Sequence, residues 1–163
     1  MTMDLIASLA GLAADSPLRA LLARREDIMD LTEKSRQAVL TPADPGGLSH
    51  TVRALIAVRA AERLGDPVLR DHYFDQFSHG EGAYDLADLV DPARRPDDPW
   101  LGAVFDHADR LTRQPRTARQ SDIETLQRAG VSDADIVRLA ELAAFLGYQA
   151  RLISGLRLME AAQ

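Results

Sequence analysis

The chain has 163 residues, 46% of them hydrophobic but only 5% aromatic, with no cysteine and a formal net charge of -6. That length accommodates one domain with a real core, and the acidic balance, with a pI near 5.1, opposes attraction to nucleic-acid backbones or anionic membranes. Without cysteine there are no disulfides, thiolate nucleophiles or thiolate metal sites.

Much of the apolar content is Ala and Leu, which favour helix, so the composition predicts an all-α fold. Residues 3–14 place Leu5, Ile6, Leu9 and Leu12 along one side of a short helix. Ser16-Pro17 is a start signal, a capping hydroxyl before a proline at the first helical position, and opens one bent helix or two short ones ending near Leu40. The prolines and glycines of TPADPGG (41–47) predict a loop. Ser49 then caps a helix whose Val52, Leu55 and Ile56 form an apolar face and whose Arg59 and Arg63 form a charged one, ending at Leu64-Gly65. Asp66-Pro67 starts the next helix, with Val68, Leu69, Tyr73, Phe74 and Phe77 on its buried side, so residues 48–77 read as a tight α-hairpin.

From Ser78 to Pro99 the chain turns rich in Gly, Pro, Asp and Arg and predicts a long surface loop, with helical turns only in YDLADLV (84–90). Trp100 to Thr112 is amphipathic, with Val104, Phe105 and Ala108 inward and Asp106, Asp109 and Arg110 outward. Ser121 or Asp122 opens a short helix stopped by Gly130, and Ser132 caps a last helix running to about Met159. From Ile136 to Met159 that helix carries charge only at Arg138, Glu141, Arg151 and Arg157. Its apolar circumference predicts burial on more than one side, and hence a homo-oligomer. No segment has the apolar length that spans a bilayer, and Asp4 stands where a signal peptide carries basic residues, so a cytoplasmic protein is expected.

Two stretches, LSHTVRALIAVRAAERLGDPVLRDHY (48–73) and FDHADRLTRQPRTARQSDIETLQRAGVSDADIVRLAELAAFLGYQARLISGLRLM (105–159), resemble the carboxymuconolactone decarboxylase and alkylhydroperoxidase D-like family. The DPGGLS lead-in further resembles a peroxidase-related subgroup. The resemblance implies one alkylhydroperoxidase D-like helical domain over residues 1–163, with 1–40 as an N-terminal helical extension. In the redox-active branch a Cys-x-x-Cys pair follows the tight turn, with a His one helical turn beyond it and a Glu on the preceding helix. Alignment on Leu64-Gly65 puts Asp66 and Leu69 at the cysteine positions, Tyr73 at the histidine and Ala54 near the glutamate. Thiolate attack on a peroxide needs sulfur, so the family's peroxidase chemistry is excluded within this chain.

The family's lactone-decarboxylating branch implies acid–base groups in the same pocket, and the candidates are His72, Glu62, Asp66 and Tyr73. Each also has a structural reading: a helix cap for Asp66, a core aromatic for Tyr73, an Arg59 or Arg63 partner for Glu62 and a surface histidine for His72. His72, Asp75 and His79 share a helix face at i, i+3 and i+7 near Glu81, but without the spacing of zinc helices, so no metal or other cofactor is assigned. The segment SDIETLQRAGVSDADIV mimics a helix-turn-helix, but its acidic second helix opposes DNA reading. Two readings follow. The first is a cysteine-less, non-peroxidatic oligomer that binds a small molecule or partners a cysteine-bearing relative. The second is an acid–base enzyme, lactone decarboxylase-like, acting on a small carboxylated substrate.

Overall fold

The computed structural model describes residues 2–162, with side chains from residue 5 onward. Met1, Gln163 and the side chain of the acidic residue at position 4 lie outside the described residues. Within them the chain is all-α, with no strand: α1 (Thr2–Leu9), α2 (Pro17–Ala23), α3 (Glu26–Leu40), α4 (His50–Leu64), α5 (Pro67–Ser78), α6 (Pro99–Arg113), α7 (Gln120–Arg128) and α8 (Asp133–Ala161). Short 3₁₀ segments at Ala83–Val90 and Pro115–Thr117 flank α6. Among the described residues no helix is long and apolar enough to cross a membrane.

Local chemistry sets most helix ends. Ser16, Ser49, Asp66 and Ser132 each accept a hydrogen bond from a backbone N–H in the first turn that follows, which satisfies donors that a helix leaves unpaired. The first forty residues make separate helices α1, α2 and α3. The α7 start lies one residue earlier than predicted, because Asp122 caps from inside the helix by accepting the Arg119 N–H at 2.9 Å.

The hairpin α4–α5 is the centre of the molecule, and α4 also packs on α3, α6, α8 and the first 3₁₀ segment. Residues Arg53 to Ala61 of α4 are buried without interruption. The predicted charged face of α4 is therefore corrected at Arg59, which is 3% exposed, and Arg53 is 1% exposed. Both guanidinium groups satisfy the carbonyls of irregular segments. Arg53 donates to Val39 at 2.7 Å, Leu48 at 2.8 Å and Pro45 at 2.9 Å, pinning the 41–47 loop. Arg59 donates to the carbonyls of Leu89, Asp91 and Pro92 and to the Asp109 carboxylate, and lies 4.7 Å from the Phe105 ring centroid. Asp109 is correspondingly half-buried between Arg59 and Arg63, where an outward position is predicted. Buried loop carbonyls need donors, and the planar guanidinium supplies several at fixed angles.

Within the single chain, α8 buries one face of its apolar circumference. Its inner face carries Leu139, Leu142, Leu146, Gln149 and Ile153, while Val137 and Tyr148 are 58% and 42% exposed. Leu158 and Met159 near its end are also exposed, while Ala140, Ala144 and Gly147 add small side chains that present little area to water.

Candidate functional site

A cavity of about 460 Å³ opens where the α4–α5 turn faces the C-terminal end of α6 and the middle of α8. The turn is built by Gly65, whose φ of 71° is left-handed and lets its N–H and that of Asp66 close on the last carbonyls of α4. Asp66 then does two things. One carboxylate oxygen accepts the Leu69 N–H at 3.0 Å and starts α5. The carboxylate also takes a forked pair from Arg157 at 2.7 and 3.1 Å, and Arg157 donates onward to the Leu9 carbonyl at 2.8 Å. The ends of α1, α4 and α8 are thereby joined at one side of the cavity.

Burial alone pushes the Asp66 carboxyl up, but the Arg157 hydrogen bonds, the Leu69 N–H and the Arg157 charge hold it below the usual carboxylate range. The cavity floor is apolar, with Leu64 and Leu111 facing Ala140, Ala143 and Ala150. Arg151 stands at its rim, exposed, with no hydrogen bond or ion pair to the described residues. A Cβ placed at Gly147 would lie 3.1 Å from its Nη1, so the side chain folds across the glycine toward the opening. The arrangement is an apolar recess with one guanidinium fork that has no partner among the described residues, a geometry suited to an apolar body carrying a carboxylate.

The four residues singled out in the sequence do not converge. Only Asp66 lines this cavity. Glu62 is exposed and 3.6 Å from Arg70. Tyr73 is fully buried, its hydroxyl donates to the side-chain oxygen of Gln149, and burial pushes its pKa up. His72 is half-buried, with Nε2 2.9 Å from the Gln76 side-chain nitrogen and its ring against Tyr73. Burial, then the Arg36 charge, lowers its pKa despite Asp75 and Glu33. Of the positions that the resemblance makes reactive, Ala54, Asp66, Leu69 and Tyr73 are 7%, 7%, 1% and 0% exposed. His79 and Asp75 are both exposed, and the described residues hold no cluster of three or more His, Asp or Glu arranged for a metal ion.

Arg151 and Arg157, which the sequence does not single out as site residues, are the two cations that line this cavity. Their signal was present: they are two of the few charges on a helix that is otherwise apolar. Gln149 carries a similar one, a lone amide on the buried face with its nitrogen unpartnered. Compared with known proteins, the chain matches no family model, no curated protein and no solved structure.

Proposed function

We propose that the chain is a cysteine-less, non-peroxidatic, alkylhydroperoxidase D-like protein that binds a small apolar carboxylate in the cavity beside the α4–α5 turn and works as a homo-oligomer. The observation that carries the binding role is the unpaired Arg151 fork above an apolar recess of about 460 Å³. The family reading rests on the helix, left-handed glycine turn and capped helix of residues 48–77, and the non-peroxidatic reading on the burial of Ala54, Leu69 and Tyr73 and on the absence of cysteine. Oligomerisation is supported by a second groove of about 650 Å³ between α3 and α8, where Ile28, Leu31 and Tyr148 are exposed. Ala144 lines both this groove and the binding cavity, so a second copy seated there would lie beside the cavity mouth.

An acid–base role has less support. Asp66 is the one candidate at the cavity, and a carboxylate held ionised by Arg157 is a poor proton donor near neutral pH.

Titration calorimetry with octanoate and benzoate, alongside native mass spectrometry for retained molecules, tests the reading. Arg151→Gln is expected to weaken carboxylate binding roughly tenfold without changing stability, as loss of one charge-assisted contact. Ala144→Trp fills the recess from an exposed position and is expected to abolish binding. An empty native protein that takes up neither carboxylate at millimolar concentration would refute the binding role.

A further inference from the structure

On another side of α6, its last turn, the Pro115–Thr117 segment and the start of α7 enclose a separate basin of about 590 Å³. Five arginines line it: Arg63, Arg95, Arg110, Arg113 and Arg119. Three are matched by carboxylates, Arg63 by Asp109 at 2.6 Å, Arg95 by Asp106 at 2.8 Å and Arg110 by Asp122 at 2.8 Å. Arg113 and Arg119 have no carboxylate within ion-pair distance among the described residues. A chain with net charge -6 therefore concentrates two uncompensated positive charges in one concavity. Such a grouping is relieved by a bound anion.

A second observation points the same way. Asp106 and Arg110 also wall an adjoining pocket of about 120 Å³ that reaches His107. His107 is 7% exposed, and its Nδ1 is buried with no hydrogen-bond partner among the described residues. Buried ring nitrogens are normally satisfied, and a pocket of this size admits water or a ligand hydroxyl. Every side chain that lines the main basin is polar, with hydroxyls from Thr117 and Ser121 and no aromatic ring on which a nucleobase would stack.

We propose that this basin binds the phosphomonoester of a small polyhydroxylated molecule, with Arg113 and Arg119 taking the dianionic phosphate and the His107 pocket receiving a hydroxyl group or a water that the ligand traps. Two guanidinium forks match the geometry and the two charges of a phosphomonoester. The hydrophilic wall suits a polyol or sugar body.

The test is titration calorimetry of the full chain with glucose 6-phosphate, glucose, inorganic phosphate and succinate. The sugar phosphate is expected to bind more tightly than inorganic phosphate and succinate, and glucose not to bind. Arg113→Gln and Arg119→Gln, both at exposed positions, are each expected to weaken binding roughly tenfold. Arg24→Gln, outside the basin, leaves binding unchanged. Nitrogen-15 spectra of the imidazoles are expected to show the His107 resonances moving on ligand addition while those of His50 and His79 stay in place. No uptake of glucose 6-phosphate at millimolar concentration, binding that survives the double Arg113→Gln, Arg119→Gln substitution in a folded protein, or tighter binding of succinate would each overturn the proposal.

Discussion

Helix α4 carries Arg53, Arg59, Glu62 and Arg63 within one amphipathic segment, yet residues Arg53 to Ala61 are buried without a break. Helix α8 is apolar around most of its circumference, yet Val137, Tyr148 and Leu158 stand at the surface. The difference shows that formal charge does not decide which helix becomes the core. An arginine is a core residue wherever irregular backbone leaves carbonyls to satisfy. A helix can be apolar around most of its circumference and still leave Val137, Leu158 and Met159 uncovered within one chain.

The largest test of this contrast is Arg53→Ala. Three carbonyls, that of Leu48 buried and those of Val39 and Pro45 partly buried, would lose their donor, at roughly 1–3 kcal/mol for each that finds no substitute. A total loss of roughly 3–5 kcal/mol is expected in urea denaturation, a large part of the stability of a typical domain. A loss below about 1 kcal/mol would mean that water reaches these carbonyls and that α4 is not pinned as described.

Asp109→Asn comes next. It leaves Arg59 its carbonyl acceptors but removes the only carboxylate paired with that buried cation among the described residues. Roughly 2 kcal/mol of destabilisation is expected. It should be accompanied by faster amide exchange in the 89–94 segment, whose carbonyls the same guanidinium holds. Unchanged exchange there would separate Arg59 from the fixing of that loop.

A smaller effect is expected from acid. The Asp66 carboxyl has a lower pKa folded than unfolded. Its contribution is therefore complete above the unfolded value near pH ~3.9 and is lost as pH falls through the lower folded value. Arg157→Gln removes the main cause of that depression, so thermal melts of the variant should fall less steeply with acid than those of the parent. Part of the slope should remain, because Asp135 is also held low: burial alone would raise it, but Ser132, the Gly47 N–H and Arg138 outweigh that. Equal slopes in the two proteins would remove Asp66 from the account.

The smallest effect is expected on the exposed side of α8. Val137→Lys should change unfolding free energy by less than about 0.5 kcal/mol, as surface substitutions usually do. If α8 also contacts a second copy, the same variant should shift sedimentation toward a smaller species while leaving the melt nearly unchanged. A large loss of monomer stability would place Val137 in the core and weaken the contrast with α4.

Much of the fold is legible along the chain because helix ends are local. Ser49, Gly65, Asp66-Pro67 and Ser132 act on backbone groups within a few residues, so spacing alone reveals them. The candidate site is legible only at Asp66, where a cap and a cavity wall coincide. His72 and Glu62 look reactive by residue type, but their directions depend on how α5 and α4 rotate against the core, which periodicity does not specify.

The sequence by itself determined the all-α class, the breaks between helices and the exclusion of thiol chemistry, since each follows from composition or from contacts within one turn. Tertiary structure alone decided that Arg53 and Arg59 lie inside. It also decided that Arg157 joins Asp66 to Leu9 and that Arg151 overhangs a recess while Arg113 and Arg119 share a basin. Those outcomes join groups up to 148 positions apart. Partners so distant are chosen by packing and by which buried polar groups remain to be satisfied, neither of which leaves a periodic trace in the chain.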